Sequence, residues 1–100
     1  MKVKNMTSAR GLAVPNQLII EDEKGIYFQS YGSIIAFKPN IPWVEGEKYA
    51  MGSHPTQLDI NKWDYSRMTG KYRNQFLGES KAETQKKIDS GEYELVDLNN

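Results

Sequence analysis

The sequence predicts an α+β fold, in which a small antiparallel β-sheet packs against two helices. Two β-prone runs, residues 17–20 and 26–31, flank a short polar connection that ends in Gly25, a pattern typical of a hairpin. A third run, 34–37, follows a second tight connection. Helical spacing is confined to the C-terminal half, so we expect an N-terminal three-stranded meander, then two helices and a late strand.

At 100 residues the chain has the size of one domain, which we place at residues 1–100. Residues 1–15 are largely polar and contain Gly11 and Pro15, so we expect a polar N-terminal loop there. Residues 38–58 hold three prolines and two glycines that break any regular period. That stretch is therefore predicted to be an irregular loop.

The first helix is predicted to follow Trp63. Either Asp64 or Ser66 can cap it by accepting a hydrogen bond from a free N–H of the first turn, and Gly78 is suited to end it in a left-handed conformation. Residues spaced by three, four and four are expected to face the sheet: Tyr65, Met68, Tyr72 and Phe76. A neighbouring stripe is expected to face solvent or a ligand: Arg67, Lys71 and Asn74.

The second helix is predicted to begin with a capping box, in which Ser80 and Glu83 satisfy each other's backbone N–H groups. It is expected to run to Ser90, with Gly91 as its terminator. Its apolar side is thin, chiefly Ala82 and Ile88, which favours a peripheral position. Short strands are also expected at three places: 49–51, 58–60 and 93–98.

Composition and charge narrow the class of protein. The chain is 38% hydrophobic and 26% charged, within the globular range, and its 13 cationic residues balance 13 acidic ones. It has no cysteine, which excludes disulfides and fits a reducing compartment. No apolar run approaches the roughly 18 residues of a membrane span, and the N-terminus lacks the apolar stretch of a secretory signal. We expect a cytoplasmic protein that does not enter a membrane.

Charge is uneven along the chain. Residues 62–76 carry four cations against one carboxylate, giving +3, whereas residues 79–97 carry three cations against six carboxylates, giving −3. This difference suggests a cationic ligand face backed by an acidic end. Chance variation between two short windows is the alternative.

No set of residues dictates a reaction. His54, the only histidine, precedes a proline in the irregular loop and has no cysteine or second histidine with which to hold a metal. Asp59 and Asp64 could supply carboxylates for Mg²⁺, as nuclease sites do. Turn and cap roles explain Asp22, Glu23 and Asp64 more simply. We expect no catalytic residue, no metal and no cofactor.

Binding is better supported, because residues 63–77 combine four aromatic rings with three cations. Cations neutralise phosphates, rings stack on bases, and amides hydrogen-bond to base edges or ribose. The candidate ligand-binding residues are Arg10, Asn16, Gln17, Gln29, Tyr31, Trp63, Tyr65, Arg67, Lys71, Arg73 and Asn74. The alternative for aromatics at helical spacing is that they belong to the core.

Several motifs point to a family. They are VKNMTS at 3–8, FQSY at 28–31, WDYSRMTGKYRNQFLGE at 63–79 and IDSGEY at 88–93. Together they resemble a family of short, uncharacterised proteins encoded by bacteriophages and other mobile elements. The resemblance implies a phage or plasmid origin and a bacterial host, and it supplies no reaction.

These observations predict a non-enzymatic protein that binds a nucleotide or nucleic acid, for example one that sequesters a host defence signal. The alternative is a protein-binding inhibitor of a host defence or transcription enzyme. Its anchors would come from the irregular loop: Trp43, Tyr49 and Met51. An exposed sheet edge would also allow a homodimer or a higher homo-oligomer.

Overall fold

A computed structural model describes residues 1–40 and 55–99. They form, in chain order, β1 (Lys2–Thr7), β2 (Ala13–Asp22), β3 (Gly25–Ser30), β4 (Ser33–Pro39), β5 (Gln57–Asp59), α1 (Arg67–Leu77), α2 (Lys81–Asp89) and β6 (Glu94–Val96). The strands make one sheet in the order β1-β2-β3-β4-β5-β6. All neighbours are antiparallel except β5 and β6, which are parallel and are joined by a crossover that contains both helices. The predicted α+β class is confirmed.

The predicted meander is formed by β2, β3 and β4. Asp22 shapes the first turn, because its carboxylate accepts the backbone N–H groups of Lys24 (2.8 Å) and Gly25 (3.2 Å). Tyr31 and Gly32 form the second turn, and their φ angles of 50° and 82° have the sign that a type I′ hairpin requires. The carboxylate contacts in the first turn confirm the turn role expected for Asp22.

The prediction of an N-terminal loop over residues 1–15 is wrong, because β1 occupies Lys2–Thr7 and β2 begins at Ala13. Only Met6 of β1 is buried, and polar residues lie on both sides of this edge strand. Its sequence therefore shows no clear alternation of apolar and polar residues. The predicted loop over residues 38–58 is partly strand, since β4 runs to Pro39 and β5 begins at Gln57.

Parts of that predicted loop lie outside the described residues. These parts include the strand expected at 49–51 and the residues His54, Trp43, Tyr49 and Met51. The strand expected at 58–60 is confirmed as β5, and the strand expected at 93–98 is confirmed as β6.

The core lies between the sheet and α1. Phe28 of β3 stacks on Phe76 of α1, with ring centroids 5.8 Å apart. Closer to the start of α1, the buried hydroxyls of Ser30 and Thr69 are hydrogen-bonded at 2.9 Å. The remaining buried hydrophobic residues of this cluster are Met6, Ile35, Ala36, Leu58 and Tyr72. The sheet face that carries Phe28 and Ser30 is therefore the face that positions α1.

The buried side of α1 differs from the prediction. Tyr65 lies before the helix, and both Tyr65 and Met68 are 43% exposed. The side that faces the sheet consists instead of Thr69, Tyr72, Arg73 and Phe76. These four residues have the i, i+3, i+4, i+7 spacing of one helix face. Thr69 and Arg73 are polar, so apolar periodicity alone predicts the wrong side of α1 to be buried.

Both helix ends follow the predicted chemistry. Ser66 is the N-cap of α1, and its hydroxyl accepts the Thr69 N–H at 3.1 Å. Gly78 ends α1 in the left-handed region, with φ of 71°. The capping box of Ser80 and Glu83 is present at the start of α2. Within α2, however, the buried residue is Thr84, and Ala82 is exposed.

Candidate functional site

A turn stabilised by Asp59 leads the chain from the sheet to α1. The backbone carbonyl oxygen of Asp59 accepts the N–H groups of Lys62 and Trp63. Its buried carboxylate accepts the N–H groups of Asn61 at 3.1 Å and Leu98 at 2.8 Å. Asp59 therefore fixes the approach to α1 and the C-terminal tail, and both of its carboxylate oxygens are already engaged.

One open depression lies along the exposed side of α1, and we call it the α1 depression. Its volume is about 750 Å³. It is lined by Asp64, Tyr65, Ser66, Arg67, Gly70, Lys71, Arg73, Asn74 and Lys81. Five of these are candidate ligand-binding residues of the sequence analysis: Tyr65, Arg67, Lys71, Arg73 and Asn74. Five of the eleven candidates, all from residues 65–74, therefore lie in one place.

Arg67 and Lys71 are the accessible cations of this depression. They lie one helical turn apart, and both are exposed. Within residues 1–40 and 55–99, neither makes an ion pair. The ammonium group of Lys71 lies 5.4 Å from the ring centroid of Tyr72, a contact that leaves its N–H donors available.

Arg73, another candidate ligand-binding residue, is buried and has a different role. Its side chain is only 1% exposed. Nη1 donates to the Trp63 carbonyl oxygen (2.6 Å) and to Asp64 Oδ1 (3.3 Å), while Nη2 donates to Asn74 Oδ1 (3.0 Å). The guanidinium carbon lies 5.2 Å from the Trp63 ring centroid. Arg73 therefore ties the turn to α1.

Among the described residues, Asp64 is the only carboxylate that lines the α1 depression, and two cations already neutralise it. Oδ2 pairs with Lys81 Nζ at 2.6 Å, and Oδ1 accepts from Arg73. Burial opposes ionisation of this carboxyl group, but the hydrogen bonds and charges of Lys81 and Arg73 outweigh that effect and lower its pKa. Four cations against one carboxylate leave the lining at +3.

The other candidate residues lie elsewhere. Asn16 and Tyr31 meet at one end of the sheet, where the Tyr31 N–H donates to the Asn16 carbonyl oxygen at 2.9 Å. Both have positive φ, 66° and 50°. Arg10 is exposed in the β1–β2 connection, and Gln29 is half-buried on β3.

Two further candidates face the protein interior. Gln17 is fully buried, and neither polar atom of its amide has a hydrogen-bond partner among the described residues. Trp63 packs against the core. The structure therefore does not bring either residue into the α1 depression.

Sequence reasoning did not include four lining residues among the ligand-binding candidates: Asp64, Ser66, Gly70 and Lys81. Gly70 lies one turn after Ser66 and leaves backbone exposed in the depression. Lys81 is the first residue of α2, and its side chain returns to Asp64 across the α1–α2 connection. The capping box gave the position of α2 along the chain, but no sequence pattern gave the angle between the helices.

Comparison with protein families gives one match. A model described as "Family of unknown function (DUF8033)" matches residues 1–92. The chain belongs to this family. Comparisons with curated proteins and with solved structures found no match.

The arrangement in this family member presents cationic and hydrogen-bond-donating groups, which are suited to an anion. Among residues 1–40 and 55–99, no group of three or more histidine or acidic side chains is placed to bind a metal ion. In the same part of the chain, no helix has the length and apolar character needed to cross a membrane. The α1 depression instead offers two accessible cations, an exposed tyrosine ring and an amide.

Proposed function

We propose that this protein binds a phosphate-bearing ligand, a nucleotide or a nucleic acid strand, in the α1 depression and catalyses no reaction on it. The supporting observation is the clustering of Arg67, Lys71 and Lys81 around a depression in which the one carboxylate from the described residues is already neutralised. A phosphate that enters this depression meets positive charge with no unpaired acidic group to repel it.

Each accessible side chain has a defined part in this proposal. Arg67 and Lys71 contact phosphate oxygens, since a guanidinium can donate two parallel hydrogen bonds and an ammonium acts as a point charge. Tyr65, with 43% of its surface exposed, offers a ring on which a base can stack. Asn74 uses its carbonyl oxygen to bind Arg73, so its NH₂ group is the part that can donate to a ligand.

The resemblance to proteins of phages and mobile elements extends the proposal to a biological setting. In a bacterial host, a small protein with this depression would act by sequestering a nucleotide signal of host defence. The open shape of the depression also admits a single strand of nucleic acid, whose phosphates would follow the exposed side of α1. Mass spectrometry of small molecules released from protein purified out of cells would separate the two ligands.

The decisive experiment removes the accessible cations. Arg67→Ala with Lys71→Ala is expected to weaken binding of a labelled 20-nucleotide oligothymidine and of ATP at least tenfold, as measured by fluorescence anisotropy and calorimetry. The melting temperature should change little, because both side chains are exposed and make no ion pair with the described residues.

The matched control is Lys24→Ala with Lys86→Ala, which removes the same charge from exposed positions outside the α1 depression. This control should keep wild-type affinity. Affinity of the wild type should fall steeply as salt rises, and the cation-free variant should lose part of that dependence. Equal affinities of the two double variants for both probes would contradict the proposal.

A further inference from the structure

The strand β1 has a free edge. It is the first strand in the sheet order, and among the described residues its only strand neighbour is β2. Its residues are exposed with the single exception of Met6. An edge strand of this kind presents backbone N–H and C=O groups that another strand can bind.

The two sides of β1 differ in chemistry. On the side that faces the helices, Lys2 pairs across the sheet with Glu21, and Lys4 pairs with Ile19. On the opposite side, Val3 is 54% exposed and begins a cross-strand row that continues through Ile20, Tyr27 and Phe37. The side that faces the helices is therefore cationic at Lys2 and Lys4, and the opposite side is apolar at Val3.

A groove lies beside the two lysines, and its lining residues all belong to β1, β2 and β3. It has a volume of about 410 Å³ and is lined by Lys2, Lys4, Ile19, Glu21 and Ile26. An adjoining cavity of about 390 Å³ shares three of these residues and extends to Lys38 and Phe76. The groove offers room for acidic side chains beside Lys2 and Lys4.

Lys38 lines the adjoining cavity and also binds the end of α1. Its Nζ donates to the Phe76 carbonyl oxygen at 2.7 Å and lies 4.5 Å from the Phe76 ring centroid. Lys2 and Lys4 against Glu21 leave the groove at +1. This is a second cationic region, and it shares no lining residue with the α1 depression.

We propose that the free edge of β1 binds an added strand of a partner protein in which acidic and apolar residues alternate. The acidic side chains of that strand face Lys2 and Lys4, and the apolar ones cover Val3 on the opposite side. The period of two residues in a strand places each class on its matching side. Charge complementarity decides the class of partner, and backbone hydrogen bonds provide the attachment.

A second copy of this chain is a poorer occupant. Antiparallel pairing of two β1 strands centred on Val3 would place Lys2 of one copy opposite Lys4 of the other. Like charges directly opposite each other destabilise a strand pair. Lysines on an edge strand therefore disfavour self-pairing and at the same time favour an acidic strand.

The experiment uses a labelled, acetylated peptide that alternates glutamate with leucine, and a second peptide that alternates lysine with leucine. The wild type should bind the first by fluorescence anisotropy and should bind the second at least tenfold more weakly. Lys2→Glu with Lys4→Glu should reverse that preference. The control, Lys24→Glu with Lys86→Glu, changes the net charge equally at exposed positions outside the groove and should leave the preference unchanged.

Hydrogen exchange distinguishes strand addition from other binding modes. Amide protons of β1 should exchange more slowly in the presence of the glutamate peptide, and N-methylation of alternate peptide bonds should abolish binding. An unchanged preference in the charge-reversed variant would overturn the proposal. So would binding of the glutamate peptide with no added protection of β1, or a wild-type dimer that the charge reversal dissociates.

This inference and the proposed function fail independently. The Arg67→Ala, Lys71→Ala protein should retain peptide binding, since neither residue lines the groove. The Lys2→Glu, Lys4→Glu protein should retain binding of the oligothymidine and ATP. Loss of both activities in either variant would contradict the separation of the two surfaces.

Discussion

Arg67 and Arg73 lie on the same helix but belong to different regions of the molecule. Arg73 is on the buried side of α1, where a carbonyl oxygen, a carboxylate and an amide oxygen bind its guanidinium. Arg67 is on the exposed side and makes no ion pair with the described residues. The difference shows that the formal charge of a segment does not measure the charge available to a ligand.

The contrast between the two arginines predicts that the largest effect on stability comes from substitution of Arg73. Arg73→Met should lower the free energy of unfolding by about 2 kcal/mol, since the new buried side chain cannot donate hydrogen bonds to the acceptors that the guanidinium satisfies. The Trp63 carbonyl oxygen, Asp64 and Asn74 would each lose a donor. Urea denaturation followed by circular dichroism measures the change.

Arg67→Met is the matched control for this prediction. It should change the free energy of unfolding by no more than about 0.5 kcal/mol, as expected for an exposed position. Similar stability losses at the two arginines would show that the two sides of α1 are not distinct.

A second network of buried polar contacts, at the end of α1, is expected to weaken in acid. The Glu79 side chain is only 3% exposed; it accepts hydrogen bonds from Thr84 (3.2 Å) and Tyr93 and pairs with Lys87 at 2.7 Å. Burial opposes ionisation of Glu79, but its contacts with these three residues outweigh that effect and lower its pKa below the usual 4.5. A carboxyl group with a lowered pKa stabilises the fold above its unfolded pKa, and this stabilisation is lost as pH falls through the folded pKa.

Glu79→Gln should therefore be less stable than the wild type at neutral pH, and the difference should shrink as pH falls below about 4.5. Thermal melting from pH 7 to pH 3 measures it. Glu23→Gln, at an exposed turn position, is the matched control and should melt in parallel with the wild type over the same range. A constant difference between wild type and Glu79→Gln across this range would contradict the assigned role.

The smallest effect is expected in the β3–β4 turn. Tyr31 has a φ of 50°, in a region that asparagine tolerates better than tyrosine. Tyr31→Asn should raise the free energy of unfolding by about 0.5 kcal/mol, because part of the left-handed strain is relieved. Urea denaturation measures the gain, and Tyr31→Ala should show none.

Tyr31 also tests the boundary of the ligand site. It does not line the α1 depression, so Tyr31→Asn should leave oligothymidine affinity unchanged. A loss of affinity would extend the binding surface from the exposed side of α1 to this end of the sheet.

Local patterns in the sequence predicted the elements that local chemistry controls. The β-branched and aromatic runs predicted β2, β3 and β4, and the cap residues Ser66, Gly78 and Ser80 marked the helix ends. β1 was missed because an edge strand buries one residue and therefore shows no hydrophobic alternation. The buried side of α1 was misassigned because Thr69 and Arg73 are polar.

The sequence by itself determined the fold class, the order of most elements and a set of side chains able to bind phosphate. Only the tertiary structure decided which of those side chains are accessible. The reason is physical: a cap or turn is satisfied by neighbours within a few residues, whereas the burial of Arg73 and the engagement of Asp64 depend on partners that folding brings from the preceding turn and from α2. The availability of charge is thus a property of packing, which no local pattern specifies.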